Sequence, residues 1–314
     1  MLTGLRDLRR LGGVLMIGAS AVMATEAKAQ RTHVLYAGGL SGAPQFKTQF
    51  TEAATALRDV ARTRWAVADS SLIILTEDST AAGTRSTREN IAAAFLRLSR
   101  RVQPGDVLLV MLVGHGSGEG AGSKVNLPGP DATAAEYAAW LQPFEQQQVV
   151  FVNAATGSGD FVPVLSKPGR VVITATKSAL EKNESEFLKF FVQGIKGSEA
   201  DGDKDGRLSV LEVFRYARAE VARSYERSKR LLTEHALVSD SSVAARITFG
   251  QRATSNDPRI AALIAERQAL ESQVAALRGK KDSMTAAAYE AELERLLLAI
   301  AEKTAAIKAA GGDK

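Results

Sequence analysis

Three short stretches carry residue types and spacings that could do chemistry. The apolar run Val107 to Val113 ends in Gly114-His115-Gly116-Ser117-Gly118, and the run Val149 to Val152 ends in Asn153-Ala154-Ala155-Thr156-Gly157-Ser158-Gly159. A histidine just beyond an apolar strand can act as a general base. Backbone amides in a glycine-rich turn can stabilise an oxyanion. The hydroxyls of Thr156 and Ser158 become nucleophiles only where such a base takes their proton. A thiolate is not available, because the chain contains no cysteine. That absence also excludes disulfides, zinc sites built on thiolates and acylated lipoprotein anchors.

The third stretch, Asp201 to Glu212, reads DGDKDGRLSVLE and fits a twelve-residue EF-hand loop at positions 1, 3, 5, 6, 9 and 12. Asp201, Asp203 and Asp205 offer hard oxygens from one turn, Gly206 permits the bend, and Arg207 supplies its carbonyl. Ser209 acts directly or through water, and Glu212 closes the shell with both oxygens. Ca2+ is the ion that such a set selects, since it takes about six to eight oxygens at roughly 2.3–2.6 Å. The competing reading is an acidic turn that caps a helix without metal. A single loop points to a structural site rather than to a paired sensor.

These segments need a scaffold. Short β-branched and aliphatic runs recur at His33 to Ala37, Leu72 to Leu75, Val107 to Val113, Val149 to Val152 and Val171 to Thr174. Nearly unbroken apolar runs are expected of strands buried on both faces of a parallel sheet. Amphipathic stretches alternate with them at Pro44 to Thr63, Thr87 to Arg101, Thr133 to Trp140 and Gly159 to Leu165, and helices are also expected from Glu186 to Lys196 and from Ser209 to about Arg230. The pattern predicts a three-layer α/β/α domain with a mostly parallel sheet. Ligands of such sheets sit beyond the carboxyl ends of the strands, which is where His115 and the 153–159 segment fall.

The residues 107–118 and 149–159 resemble the caspase, gingipain and legumain superfamily of cysteine peptidases. That superfamily carries His-Gly after its third core strand, and an acidic or polar residue followed by Ala-Cys after its fourth. The resemblance implies a caspase-like α/β domain over residues 30–250, with His115 at the general-base position and amides around Gly116 at the oxyanion position. It also implies that Ala155 stands where the nucleophilic cysteine belongs. A methyl group has no lone pair, so the resemblance implies a pseudopeptidase. Loss of a nucleophile costs on the order of 10⁶ in kcat. Thr156 and Ser158 keep a hydrolase alternative open, although neither occupies the matching position. Thr176-Lys177-Ser178, after the fifth strand, would flank a substrate cleft in a working relative. Leu127-Pro128-Gly129-Pro130-Asp131 reads as a turn and helix start, and the usual Gly-x-Gly-x-x-Gly of dinucleotide sites is not matched.

The termini differ in character from this core. Arg6, Arg9 and Arg10 precede an apolar run from Leu11 to Ala24, and Ala27-Lys28-Ala29 follows. That order predicts a signal peptide over residues 1–29 and an exported, periplasmic or extracellular protein. The run, about fourteen residues, is short of the roughly 20 that span a bilayer, so no stable membrane insertion is expected after cleavage. Cleavage there removes four cations and two anions and lowers the formal charge from +5 to +3, too mild a balance to predict nucleic-acid binding. Beyond Asp257-Pro258, Ile260, Leu263, Leu270, Val274 and Leu277 keep helical spacing. After a Gly-Lys-Lys-Asp-Ser break, Tyr289, Leu293, Leu296, Ile300 and Ile307 resume it. Residues 251–314 are thus expected to form an antiparallel helical hairpin, with Arg267 on one apolar position. Three functions remain: a binding or scaffolding pseudopeptidase, a hydrolase using His115 with Ser158 or Thr156, and a purely structural calcium protein. A protein or peptide partner would engage the strand-tip groove or the hairpin.

Overall fold

The computed structural model of the chain describes residues 30–79, 84–203, 207–249, 257–278 and 283–310. The expected signal peptide lies outside them, as do Asp205 and Gly206 of the acidic loop.

Five strands follow the apolar runs closely: β1 (Thr32–Gly38), β2 (Leu72–Thr76), β4 (Val107–Val113), β8 (Gln148–Asn153) and β9 (Arg170–Thr174). Two short strands complete their sheet, β3 (Thr84–Arg85) and β10 (Leu237–Val238). The order is β10-β9-β8-β4-β1-β2-β3, and β10 alone runs antiparallel to its neighbour. The central strands are buried on both faces, which explains their unbroken apolar composition. Val34, Tyr36, Leu109, Met111, Val150 and Val152 point into one layer, while Leu35, Ala37, Leu108, Val110, Val149 and Phe151 point into the other.

Helices α1 (Pro44–Thr63), α5 (Phe187–Lys196) and α6 (Val210–Arg227) cover the first face. Helices α2 (Arg88–Ser99), α3 (Ala134–Trp140) and α4 (Phe161–Leu165) cover the second. Their starts are written locally. Pro44 opens α1, Thr87 accepts from the Asn90 amide at the head of α2, and Thr133 with Glu136 makes a capping box for α3. The chain is therefore a three-layer α/β/α domain with a mostly parallel sheet, as its pattern predicts.

Several short elements were not expected. A small antiparallel sheet of β5 (Gly116–Ser117), β6 (Lys124–Val125) and β7 (Ala132–Thr133) sits beyond β4. The polar connection after α6 contains β10 and a one-turn helix, α7 (Ser241–Ala244), capped by Asp240. Two-residue strands have no periodicity to read.

The C-terminal hairpin consists of α8 (Pro258–Arg278) and α9 (Ala286–Ala309). Asp257 accepts from the Arg259 amide at 2.8 Å, as expected for a cap before a proline. Ile260, Ile264 and Ile307 pack at one end of the seam, and Val274, Leu277 and Leu296 at the other. Arg267 is accommodated on its apolar register by an ion pair to Glu271 at 3.4 Å. Among the described residues no helix is long and apolar enough to cross a membrane.

Candidate functional site

Strands β4 and β8 are neighbours in parallel register, with Met111 opposite Val152 and Leu112 opposite Asn153. The loops that follow them therefore leave the same end of the sheet side by side. His115 stands at the tip of β4, half-buried, with the rings of Phe46 and Phe50 against it at centroid distances of 4.9 and 5.9 Å. Its Nε2 lies 3.1 Å from the Ser41 carbonyl oxygen. A carbonyl only accepts, so Nε2 carries the proton and Nδ1 keeps the lone pair that a base would use.

Gly116 touches the second loop directly. Its amide donates to Thr156 Oγ1 at 3.3 Å, so the expected oxyanion donor is already engaged. A Cβ at this position would press into the Thr156 carbonyl oxygen and lie 3.2 Å from the Lys124 carbonyl oxygen. Only glycine lets the two loops approach this closely.

Ala155 follows β8 and is fully buried, its methyl packed in the same apolar cluster as Phe161 and Leu165. Its amide donates to Asn153 Oδ1 at 3.1 Å. Ser158 is 1% exposed and belongs to a separate network. The amides of Ser158 and Gly159 both donate to Thr176 Oγ1, at 2.7 and 3.2 Å, and the Ser158 hydroxyl lies 3.2 Å from the same oxygen. No hydrogen bond among the described residues joins the His115 ring to Thr156 or Ser158.

The segment 175–181 lies over this loop. Gly157 donates its amide to the Glu181 carbonyl at 2.8 Å, and a side chain at Gly159 would collide with the Lys177–Ser178 backbone. Asp160 accepts from the amides of Gly120 at 2.7 Å and Ala179 at 3.3 Å, fastening a third loop to the other two. Thr176, which by the resemblance would flank a cleft in a working relative, is buried here and accepts from the amides of residues 158 and 159.

A histidine–glutamate pair borders the same end of the sheet and has no signature in the sequence. His235 Nδ1 lies 2.5 Å from Glu181 Oε1, and Glu181 also accepts from the amides of Lys177 and His235. Burial alone pushes the Glu181 carboxyl up, but these hydrogen bonds outweigh it and hold the group below the usual range. Next to it, Glu234 accepts from Ser185 Oγ and the amides of Glu186 and Phe187, opening α5. There burial prevails and raises the carboxyl.

In the acidic loop, one carboxylate oxygen from each of Asp201, Asp203 and Glu212 lies within 4.8 Å of the others. Two oxygens bound to one calcium ion at about 2.4 Å cannot be more than about 4.8 Å apart, so this spacing meets a condition that shared ligation requires, one that exposed carboxylates also meet without an ion. Glu212 also does local work: it accepts from the amides of Gly202 and Ser209, and it forms the capping box of α6 with Ser209. Arg207 ion-pairs with Glu271 of α8 and donates to Thr248 Oγ1, which fastens the loop to the hairpin.

The fold and this site define an α/β protein whose strand tips carry a histidine after β4 and an alanine after β8. No protein-family model matches the chain, and no curated protein matches it. Among solved structures, a protein from Geobacter sulfurreducens is 12% identical, covering 74% of this chain and 96% of its own, with a TM-score of 0.42. Caspase-1 from Spodoptera frugiperda is 11% identical, covering 67% of this chain and 88% of its own, also at 0.42. Likenesses of this degree leave the fold class resting on the strand order and layers described above.

Proposed function

We propose that this chain is an exported, caspase-like pseudopeptidase that binds or scaffolds, with Ca2+ bound by the loop 201–212. The observation that carries the reading is the residue at 155, an alanine beside the tip of β8 next to the histidine-bearing tip of β4. A cysteine-peptidase mechanism starts with a thiolate, and this chain has none. The hydrolase alternative would need His115 to reach Ser158 or Thr156. Ser158 is instead committed to Thr176, and the Thr156 hydroxyl accepts from Gly116. Export is supported by the basic residues, apolar run and Ala27-Lys28-Ala29 of the sequence, and calcium by the converging carboxylates of Asp201, Asp203 and Glu212.

The test uses the purified, unaltered chain with calcium, a peptide library and a hydroxyl-directed phosphonofluoridate probe. Expected are peptide binding with slowed amide exchange at 115–118 and 176–182, no cleavage and no labelling. Cleavage or labelling that disappears in His115→Ala would overturn the pseudopeptidase reading. Absence of any peptide binding would leave the structural calcium protein.

A further inference from the structure

A cavity of about 610 Å³ runs along the β2 side of the sheet, and Leu72, Ile73, Ile74 and Leu75, successive residues of β2, all line it. Successive strand side chains point to opposite faces, and here Ile73 and Leu75 enter one layer while Ile74 enters the other. A space that touches all of them therefore lies along the edge of the strand, not on either face. Its walls agree, since Arg58 and Arg62 come from α1 in the first layer, and Ala93 and Arg97 come from α2 in the second.

The backbone along this floor is incompletely paired. β3 stands beside Leu75 and Thr76, and the Ser86 amide donates to the Thr76 carbonyl at 2.8 Å. Backbone groups alternate sides along a strand, so Ile74 and Leu72 turn theirs to the same edge as Thr76. The Leu72 amide donates to the Asp69 carbonyl. Among the described residues nothing on that side bonds the Leu72 carbonyl or the Ile74 amide. Such an edge is a template for one more strand. The walls add a sign: three arginines and one aspartate line the cavity, and Asp69 is paired with Arg62 at 2.9 Å. Two copies of this chain meeting edge to edge would set arginine against arginine, so the charge opposes self-pairing and favours an acidic strand.

We infer that this edge binds an extended acidic segment of a partner protein as an added strand, with two adjacent acidic residues at its centre. A residue of that segment set opposite Ile73 in a parallel strand donates to the Leu72 carbonyl and accepts from the Ile74 amide. Adjacent side chains of the segment point to opposite layers, so one carboxylate reaches Arg58 and Arg62 while the next reaches Arg97. Arginine holds a carboxylate by two parallel hydrogen bonds, which suits both walls. The floor from Leu72 to Leu75, at roughly 3.3 Å per residue, accepts about four residues of the segment. None of the lining residues belongs to 114–118, 153–159 or 175–181, so the inference stands apart from the pseudopeptidase reading.

The test titrates the full 15N-labelled chain with the peptide acetyl-Thr-Val-Glu-Glu-Val-Thr-amide, with its Lys-Lys counterpart, and with the acidic peptide methylated on both glutamate nitrogens. Expected are saturable binding of the unmodified acidic peptide alone, a shifted Ile74 amide resonance and slower exchange of that amide. Arg97→Glu should weaken binding at least about tenfold. Ala93→Trp, at an exposed position of the wall, fills the trough without entering the core and should abolish binding. No saturable binding of the acidic peptide, equal binding of the lysine or the methylated peptide, an unmoved Ile74 amide, or undiminished binding in either variant would each overturn the assignment. Self-association of the peptide-free chain that Ala93→Trp abolishes would give the edge to a second copy, and would overturn it as well.

Discussion

Thr176→Val tests whether one hydroxyl holds the strand-tip loop shut. The substitution keeps the branched shape and removes the oxygen that accepts from the amides of Ser158 and Gly159. Thr176 and Ser158 are each 1% exposed, so water does not replace the lost acceptor. A buried donor left unpaired costs about 1–3 kcal/mol, so two such amides cost about 2–6 kcal/mol. The added methyl recovers about 1 kcal/mol by burial, leaving a net loss near 3 kcal/mol. With a urea dependence of about 3 kcal/mol per molar, the unfolding midpoint falls by about 1 M. Thr176→Ser keeps the oxygen and deletes one methyl, and should lose only about 1 kcal/mol. Urea unfolding of the three proteins measures these losses, and amide exchange at 157–159 should accelerate in the valine variant alone. Equal losses for serine and valine, or a loss under about 1 kcal/mol for valine, would refute the idea that this hydroxyl is the clamp.

Gly116→Ala drives a methyl into the Thr156 carbonyl, and should destabilise the protein by about 1–3 kcal/mol in the same unfolding assay. Ala155→Cys buries its thiol among Phe161 and Leu165, so iodoacetamide should alkylate it far more slowly than a free thiol, and faster once Thr176→Val is added. At Asp106, burial raises the carboxyl, but hydrogen bonds from the Gln103 amide, the His33 ring and the Arg31 amide, with the Arg31 charge, bring it below its ordinary value. Its contribution is therefore present above about pH 4 and lost as pH falls further, a loss that Asp106→Asn should not show in acid unfolding. Addition of 10 mM calcium to a site binding at about 10⁻⁴–10⁻³ M should stabilise by about 1.4–2.7 kcal/mol, and Asp203→Asn should remove most of the rise in Tm.

The layers were legible because long apolar runs leave few alternatives. Pro44 to Thr63 and Val107 to Val113 are an α-helix and a strand with the bounds that their periodicity implied. The capping pair Ser209 and Glu212 was also legible, though as part of a calcium loop rather than as a cap. What stayed hidden depends on approaches between distant segments. His235 meets Glu181, and Arg31 and His33 meet Asp106, only because the sheet brings their strands and loops together. Two-residue strands such as Leu237–Val238 are set by the register of a partner, Thr174 and Ile173, and not by their own composition. By the resemblance Thr176 would flank a cleft in a working relative, and no local pattern could reveal that its oxygen would serve two amides from residues 158 and 159.

On the proposed pseudopeptidase reading, two separate obstacles meet at position 155, and they act at different levels. The first is chemical, since a methyl cannot attack a carbonyl. The second is steric: segment 175–181 lies on residues 157–159, and the side chain at 155 faces apolar core instead of solvent. An attacking atom must come within about 3–3.5 Å of the carbonyl carbon, and a 1 Å error already costs about 10² in rate. Placing sulfur at 155 therefore leaves the approach blocked until the 175–181 segment moves. Opening that segment without sulfur leaves His115 with no proton to take from the position beside it. The contacts that hold the loop, through Thr176, Asp160 and the Glu181 carbonyl, come from buried or half-buried groups. A binding role at this end of the sheet must accordingly use the outer surface of the 175–181 segment or displace it, and the slowed exchange of 176–182 on peptide binding separates the first route from the second.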